Sequence, residues 1–294
     1  MARPHAREKA IVGGQRGKEM ARPHADALPP IGLSDVRVVD QLMKQLTLED
    51  RRRKAIHHLC EEIVTIYRYL SPPALSIDEA KRISDALALF QHVAGHPDTR
   101  TPFLNAHLPL YLYPFLSTKD KTPALHQLRF SSLKVIVELI KDDNTEVVSF
   151  LLQTEIIPLC LQTVDFGDEA TKTAATFILH KILFNDAGLR YICIASDRIF
   201  ALVCNLWNAV ASPSEPSPRL LKNIIHCCLR LTDDSRASDI LTNWLLKNWL
   251  PNLLRDAAFC GCLNKDPANV ILFQQFLLKL NRQNHPSTFQ AGGT

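Results

Sequence analysis

Apolar residues recur along this chain at the spacing of one face of an α-helix. Between Ile56 and Leu70 they fall at steps of three and four, and Ser71-Pro72-Pro73 ends the pattern. The same period restarts in six further segments, and no hairpin or βαβ pattern lies between them. Those segments cover residues 83–94, 135–140, 147–152, 174–182, 221–229 and 270–280. The pattern predicts an all-α protein.

An apolar helix end followed by an aspartate-containing turn occurs four times. The aspartates are Asp98, Asp143, Asp186 and Asp233. They are 45, 43 and 47 residues apart, which is the period of HEAT and armadillo helical repeats. An aspartate or asparagine before a helix can accept hydrogen bonds from the free N–H groups of the first turn. Because one repeat cannot bury its apolar stripe alone, we predict an armadillo/HEAT-like α-solenoid over residues 34–281.

Two segments, 103–116 and 150–161, are apolar on almost every side, as expected for helices inside a stack. Their prolines, Pro109, Pro114 and Pro158, should kink or begin helices. The Ser-Pro-Ser-Glu-Pro-Ser-Pro segment at 212–218 predicts a loop between two repeats.

The two ends of the chain lack this periodicity. Residues 1–33 contain the hexapeptide Met-Ala-Arg-Pro-His-Ala twice and predict a disordered basic tail, and residues 282–294 predict a flexible C-terminal tail. An organelle transit peptide fits less well, because the first segment contains acids and few serines. The chain carries a net charge of +4, and most of it lies in the N-terminal tail. Bulk charge therefore gives no reason for the folded part to bind nucleic acid.

The eight cysteines lie mostly within apolar helical runs, where a free thiol packs like a small hydrophobic group. Without a preceding secretory signal, they predict reduced thiols and a cytosolic or nuclear protein. No apolar run reaches the roughly 18 residues that a membrane span requires, so we expect no membrane association.

Motifs that carry chemistry are missing from the sequence. It contains no glycine-rich phosphate loop and no nucleophile turn. His92 and His96 have the spacing of a zinc-binding helix but lack the glutamate between them. Cys260 and Cys262 lack a second pair at zinc-finger spacing. We therefore predict no catalytic residue, metal or cofactor, and a protein that is not an enzyme.

Two features could serve binding. The basic run Arg51–Lys54 could contact RNA phosphate or an acidic partner, although a solvated helix start is the favoured interpretation. Trp207, Trp244 and Trp249 could anchor an interface. Trp244 shares the apolar face of its helix with leucines, which favours packing in the core for that residue.

Several blocks of this chain resemble the Rcd-one-type ("required for cell differentiation") family. That family is the armadillo-repeat subunit of the Not-type (carbon catabolite repression–negative on TATA-less) mRNA deadenylase complex. The blocks match in order between about residues 55 and 260. They are Leu87–Arg100, Ala106–Leu116, Thr154–Leu161, Ala175–Leu183, and Arg219–Lys222 with Cys228–Leu231.

The resemblance implies a six-repeat armadillo fold that docks on the large Not scaffold subunit. It also implies recruitment of short peptides, including tryptophan-containing ones, from translational repressors and silencing factors. The expected locations are the cytoplasm, including mRNA-processing bodies, and the nucleus. Direct binding of single-stranded RNA or DNA, a role as a transcription cofactor, and homodimerisation remain open alternatives.

The resemblance also assigns the peptide pockets to particular residues. Arg198 and Arg236 occupy the positions of the two pocket arginines, and Pro158 matches a further pocket wall. Relatives carry a tyrosine two residues before the first arginine, where this chain has Ser196.

The other departures concern the groove and the first repeats. Gln127 and Lys134 stand where relatives have a groove tyrosine and a glycine, so Lys134 should obstruct or recharge the groove. A family Leu-Trp-x-Ser-Phe-Gly segment is missing between Cys60 and Glu61, which shortens the first repeats. We expect weaker or altered peptide binding.

Overall fold

The computed structural model describes residues 49–71, 74–211 and 216–284. Within these ranges the chain forms helices and no β-strand, which confirms the predicted all-α class. The predicted N-terminal tail, with its duplicated hexapeptide, lies outside the described residues, as do residues 212–215 of the predicted loop. At the other end the last helix continues to Asn284, past the predicted boundary at 281, and residues 285–294 lie outside the described part.

A two-helix unit precedes four repeats of similar composition in the described ranges. This unit contains α1 (Glu49–Ile66), a 3-10 turn (Tyr67–Tyr69) and α2 (Ile77–Gly95). The first repeat contains α3 (Pro97–Asn105), a 3-10 turn (Leu108–Leu112), α4 (Tyr113–Ser117) and α5 (Pro123–Ile140). The second contains α6 (Thr145–Gln153), α7 (Ile156–Phe166) and α8 (Glu169–Phe184).

The later repeats follow the same order of a short, a medium and a long element. The third contains α9 (Asp186–Cys193), α10 (Ser196–Val210) and α11 (Pro218–Leu231). The fourth contains α12 (Ser235–Ile240), a π-helix (Leu241–Trp249), α13 (Leu250–Leu253), α14 (Ala257–Lys265) and α15 (Pro267–Asn284). Helix α1 runs without a break through Cys60 and Glu61, between which a family segment was predicted to be missing.

The long helices form the spine of the stack. In the described residues α2 packs on α5, α5 on α8, α8 on α11, and α11 on α15. Their apolar stripes meet in one continuous core, whose largest side chains include Phe90, Phe103 and Trp207. Stacking therefore buries what no single repeat can bury, as the sequence predicted. Trp207 is fully buried, so its predicted use as an interface anchor is wrong.

The helix that follows each repeated aspartate is capped by a neighbouring residue. His96 Nδ1 accepts a hydrogen bond from the Asp98 N–H at 3.2 Å. Asn144, Asn185 and Asp234 cap α6, α9 and α12 in the same way. The predicted capping role of the four aspartates is therefore wrong by one or two positions, although the turns themselves lie where the repeat period placed them.

Three of these aspartates instead pair with bases of the long helices. Lys181 Nζ lies 2.7 Å from Asp143, and Lys279 Nζ lies 2.7 Å from Asp233. Arg230 pairs with Asp186. Lys181 and Lys279 belong to the repeat that begins just after their aspartate, whereas Asp186 and Arg230 both belong to the third repeat. Exposed pairs contribute about 1 kcal/mol or less each, so these contacts chiefly connect the turn before a repeat, or its first helix, to its long helix.

The two segments predicted to be apolar on almost every side are each interrupted by a left-handed residue. His107 and Glu155 adopt positive φ values of 55° and 58°, and a left-handed residue ends a regular helix. Pro109, Pro114 and Pro158 then lie in the first turns of the elements that follow, where the missing N–H costs no hydrogen bond. The prediction that these prolines begin helices is confirmed.

Among the described residues no single helix is long and apolar enough to cross a membrane. Helices α6 and α7 meet the criteria of length and composition only when taken together, and they are bent by 79°.

Candidate peptide-binding surfaces

Arg198 lies near the start of α10 and folds back over the end of α9. Its guanidinium carbon is 4.2 Å from the centre of the Tyr191 ring. Its Nη1 donates a hydrogen bond to the Tyr191 carbonyl at 2.9 Å. A cation is favoured here because the C-terminal end of a helix carries partial negative charge.

Arg236 reaches the same helix end from the next repeat. Its Nη1 donates to the carbonyls of Cys193 and Ile194 at 3.3 and 3.1 Å. The fold thus brings the two predicted arginines to the end of α9, although they are 38 residues apart in the sequence. Ile194, whose carbonyl accepts one of these bonds, is 72% exposed. We call Tyr191, Ile194, Ser196, Arg198 and Arg236 the two-arginine site.

Ser196 is exposed at the first position of α10. Its small side chain cannot supply an aromatic surface at this position, where a tyrosine is expected in relatives. Tyr191 provides an aromatic ring at the same site, and Arg198 covers one face of it. The sequence did not reveal Tyr191 because it belongs to a different helix, and only the chain reversal at residues 194–195 brings it next to Arg198.

Pro158 lies in the neighbouring repeat. It is exposed in the first turn of α7. Helix α7 packs against α10, the helix that carries Arg198. Pro158 therefore belongs to an adjoining surface of the same helix layer.

Gln127 and Lys134 lie on one face of the long helix α5 together with Phe130. All three side chains are partly buried. Lys134 Nζ lies 5.3 Å from the centre of the Phe130 ring, which is within the range of a cation–π contact. Lys134 thus covers an aromatic ring of its own helix, and the groove surface carries a positive charge there.

A second opening, which we call the histidine cleft, lies further along the layer of long helices. Its volume is about 360 Å³. His180 of α8 and His226 of α11 stack there, with ring centres 4.7 Å apart and planes within 15°. The remaining lining residues are Asp143, Lys181, Phe184, Leu229, Arg230, Asp233 and Lys279. These two histidines were not predicted from the sequence, although they are 46 residues apart, which is the repeat period.

Both histidines are held in their neutral form. Burial lowers the pKa of His180 to about 4, and His226 and Lys181 add to that effect. Burial also lowers the pKa of His226, with a smaller contribution from Lys222. A neutral pair can stack closely, whereas two imidazolium ions at this distance would repel each other.

The cations in the described lining of this cleft all have carboxylate partners. Lys181 pairs with Asp143, Arg230 with Asp186 and Asp233, and Lys279 with Asp233. The histidine cleft therefore combines apolar and aromatic surface with charges that are already neutralised within the protein.

The other sequence candidates have local roles or lie outside the described part. The side chains of Arg51–Arg53 are not among the described ones, and Lys54 is exposed on α1. His96 caps α3. The Cys260 thiol donates to the Leu254 carbonyl. No group of three or more His, Cys, Asp or Glu side chains in the described ranges could hold a metal ion.

Comparison with known proteins shows the family to which the chain belongs. The model of the Rcd1-like cell differentiation family matches residues 44–280. Cell differentiation protein rcd1 of Schizosaccharomyces pombe is 44% identical over 224 residues, which cover 76% of this chain and 77% of that protein. Protein CAF40 of Saccharomyces cerevisiae is 44% identical over 227 residues, which cover 76% of this chain and 60% of that protein. The chain belongs to the Rcd1-like cell differentiation family.

Proposed function

We propose that this chain is a non-catalytic adaptor subunit of the Not-type mRNA deadenylase complex. It docks on the large Not scaffold subunit and recruits short peptides of translational repressors, in the cytoplasm and the nucleus. Membership of the Rcd1-like family and the 44% sequence identity to CAF40 support the assignment to the complex. A stack of helical repeats supports an adaptor role because it offers long continuous surfaces for protein partners.

The two-arginine site is the observation that carries peptide recruitment. Arg198 and Arg236 are both held by backbone carbonyls, so their planar groups are positioned before a ligand arrives. A peptide tryptophan can lie against a guanidinium plane and the exposed Ile194. Pre-positioned arginines and a buried aromatic anchor are typical of binding hot spots.

The charge distribution favours a peptide over a nucleic acid as the ligand. Binding to a phosphate backbone requires several cations that can release counterions. In the histidine cleft the lysines and the arginine of the lining are already paired with aspartates. Weak binding of RNA or DNA is tested by titrating a single-stranded oligonucleotide at low salt.

The docking test uses purified full-length chain and purified Not scaffold subunit. The proposal expects the two to elute together in size-exclusion chromatography at moderate salt. The chain eluting alone would contradict membership of the complex.

The peptide test measures binding of a labelled tryptophan-containing repressor peptide by fluorescence anisotropy. Arg198→Ala should weaken binding about tenfold, since the loss of a hot-spot contact costs more than 1 kcal/mol. Arg219→Ala is the matched control, because Arg219 is an exposed arginine on α11. Equal affinities of the two variants would contradict peptide recruitment at this site and leave docking on the scaffold untouched.

A further inference from the structure

Three aromatic side chains from α10 and the π-helix form a row. Phe200 of α10 is 46% exposed. Its ring centre is 5.5 Å from that of Trp244, and Trp244 is 5.5 Å from Trp249. Both tryptophans are partly buried and pack on the core from outside. They therefore lie at the surface. Trp244, which was expected to pack in the core, contacts the core but remains partly exposed.

The π-helix explains how two tryptophans five positions apart can touch. In an α-helix, residues three or four apart share a face and residues five apart do not. A π-helix closes its hydrogen bonds between residues five apart, which brings Trp244 and Trp249 to the same side. π-Helices are rare, and the single-turn π-bulges in which they mostly occur are frequently found at functional sites.

The row ends at a cleft of about 340 Å³, which we call the Trp249 cleft. That volume is at the lower end of the usual range for ligand pockets. Apolar walls and two amides surround it. The lining residues are Val210, Ala211, Asn248, Trp249, Asn252, Leu253, Asp256 and Phe259.

Asp256 is the one charged residue among the described residues that line this cleft. One of its oxygens, Oδ1, accepts a hydrogen bond from the Phe259 N–H at 2.7 Å and caps α14. A carboxylate can accept several further hydrogen bonds. The cleft therefore matches a ligand with an apolar group next to a positive charge.

We propose that the aromatic row and the Trp249 cleft bind a linear peptide that carries a bulky apolar side chain next to Lys or Arg. The proposal rests on the proposed recruitment of peptides at the two-arginine site and extends it. Phe200 lies on α10, the helix that also carries Arg198, and Trp244 lies on the π-helix that follows the α12 of Arg236.

The chain offers a built-in reporter for this site. It contains three tryptophans, of which Trp207 is fully buried and the other two lie in the row. Full-length protein labelled with 5-fluorotryptophan gives one fluorine NMR signal for each. Single Trp→Phe variants assign the signals. The probe is the capped peptide Gly-Ser-Phe-Arg-Ser-Gly, and its partner probe has Glu in place of Arg.

The Phe-Arg peptide should shift the Trp249 signal saturably and leave the Trp207 signal in place. Asp256→Asn should weaken binding roughly two- to fivefold, as expected for loss of a partly exposed ion pair. Asparagine is also a good helix cap, so α14 should be preserved. Asn252→Arg should abolish binding by placing a cation in the cleft, and Asp98→Asn, a change at an exposed carboxylate on α3, should have no effect.

Three results would overturn the inference. They are an unmoved Trp249 signal, equal binding of the Phe-Glu peptide, and unchanged affinity in Asp256→Asn. The Arg198→Ala variant separates this inference from the proposed function. If it still binds the Phe-Arg peptide in the cleft but the tryptophan peptide binds no site on the chain, the proposed recruitment fails and the Trp249 cleft stands.

Discussion

The two-arginine site and the histidine cleft use the same residue type in opposite ways. Arg236 and Arg230 each reach back to a segment more than 40 residues earlier in the chain. Arg236 ends on neutral carbonyl groups. Arg230 ends on two carboxylates, those of Asp186 and Asp233.

This difference separates binding from stability. A carbonyl holds a guanidinium in place but does not cancel its charge, so Arg198 and Arg236 remain able to attract an electron-rich or acidic group. A carboxylate cancels the charge, so Arg230 mainly connects elements of the stack. The position of an arginine on a helical-repeat surface therefore says less about its role than the partner it already has.

Gly188 couples the two regions, and changing it should have the largest effect. A Cβ at this position of α9 would lie 1.9 Å from the Ile182 carbonyl oxygen of α8. Because the obstacle is backbone, α9 must move away from α8, and overpacking of this kind costs about 3 kcal/mol. Gly188→Ala should lower the free energy of unfolding in urea by about that amount and weaken peptide binding at the two-arginine site.

Gly95→Ala is the control for this substitution. Its Cβ would meet the end of the flexible Glu138 side chain at 3.0 Å, and alanine is favoured over glycine in helices by up to about 1 kcal/mol. If both variants unfold at the same urea concentration, α8 and α9 are not held together by this close approach.

The histidine cleft should make the protein sensitive to mild acid. The folded-state pKa of His180 is lowered from 6.5 to about 4. As the pH falls from 6.5 towards 4, His180 becomes protonated in the unfolded chain but stays neutral in the folded chain. The free energy of unfolding therefore decreases. The loss should reach roughly 2 kcal/mol near pH 4.

This acid sensitivity is measured as the difference in free energy of unfolding between wild type and His180→Gln across that range. Glutamine keeps a planar polar group but does not titrate, so its curve should be flatter. His57→Gln, at an exposed position of α1, should leave the wild-type curve unchanged. Parallel curves for wild type and His180→Gln would contradict a buried neutral pair.

The features that recur at a regular period, the long helices and the turns, were predicted from the sequence. The features that depend on contacts between elements were not. Leucine and isoleucine spacing predicted the long helices because burial of one face requires that spacing. The aspartate period placed the turns correctly. The caps were missed because Asn144 and Asp234 stand beside the repeated aspartates, and any of these side chains can cap a helix.

Some residues of the candidate sites could be predicted from the sequence, and others could not because they come together only through contacts between helices. Arg198 and Arg236 followed from resemblance to a family, and the structure brings them together at the end of α9. Tyr191 and the stacked histidines belong to different helices that meet only in the folded stack. Spacing within one element cannot reveal such contacts, although the 46-residue interval between His180 and His226 was a usable signal.

Replacing Arg198, which is held by a carbonyl, and Arg230, which is paired with carboxylates, by methionine tests whether the partner of an arginine predicts its role. These substitutions have the smallest expected effects on stability. Arg230→Met leaves Asp186 and Asp233 without this partner and removes the bond to the Leu183 carbonyl. It should lower the free energy of unfolding by about 1.5 kcal/mol, because the arginine is mostly buried but the aspartates are partly hydrated. Arg198→Met should lower it by about 0.5 kcal/mol, since an exposed carbonyl bond and a cation–π contact are lost.

Peptide affinity should follow the reverse order. Arg198→Met removes a charged plane that faces the ligand, whereas Arg230→Met leaves the two-arginine site intact. Urea unfolding and fluorescence anisotropy on the same two proteins give both rankings. If Arg230→Met lost more affinity than Arg198→Met at equal fractions folded, the neutralised cation would be part of the binding surface. The partner of an arginine would then no longer predict its role.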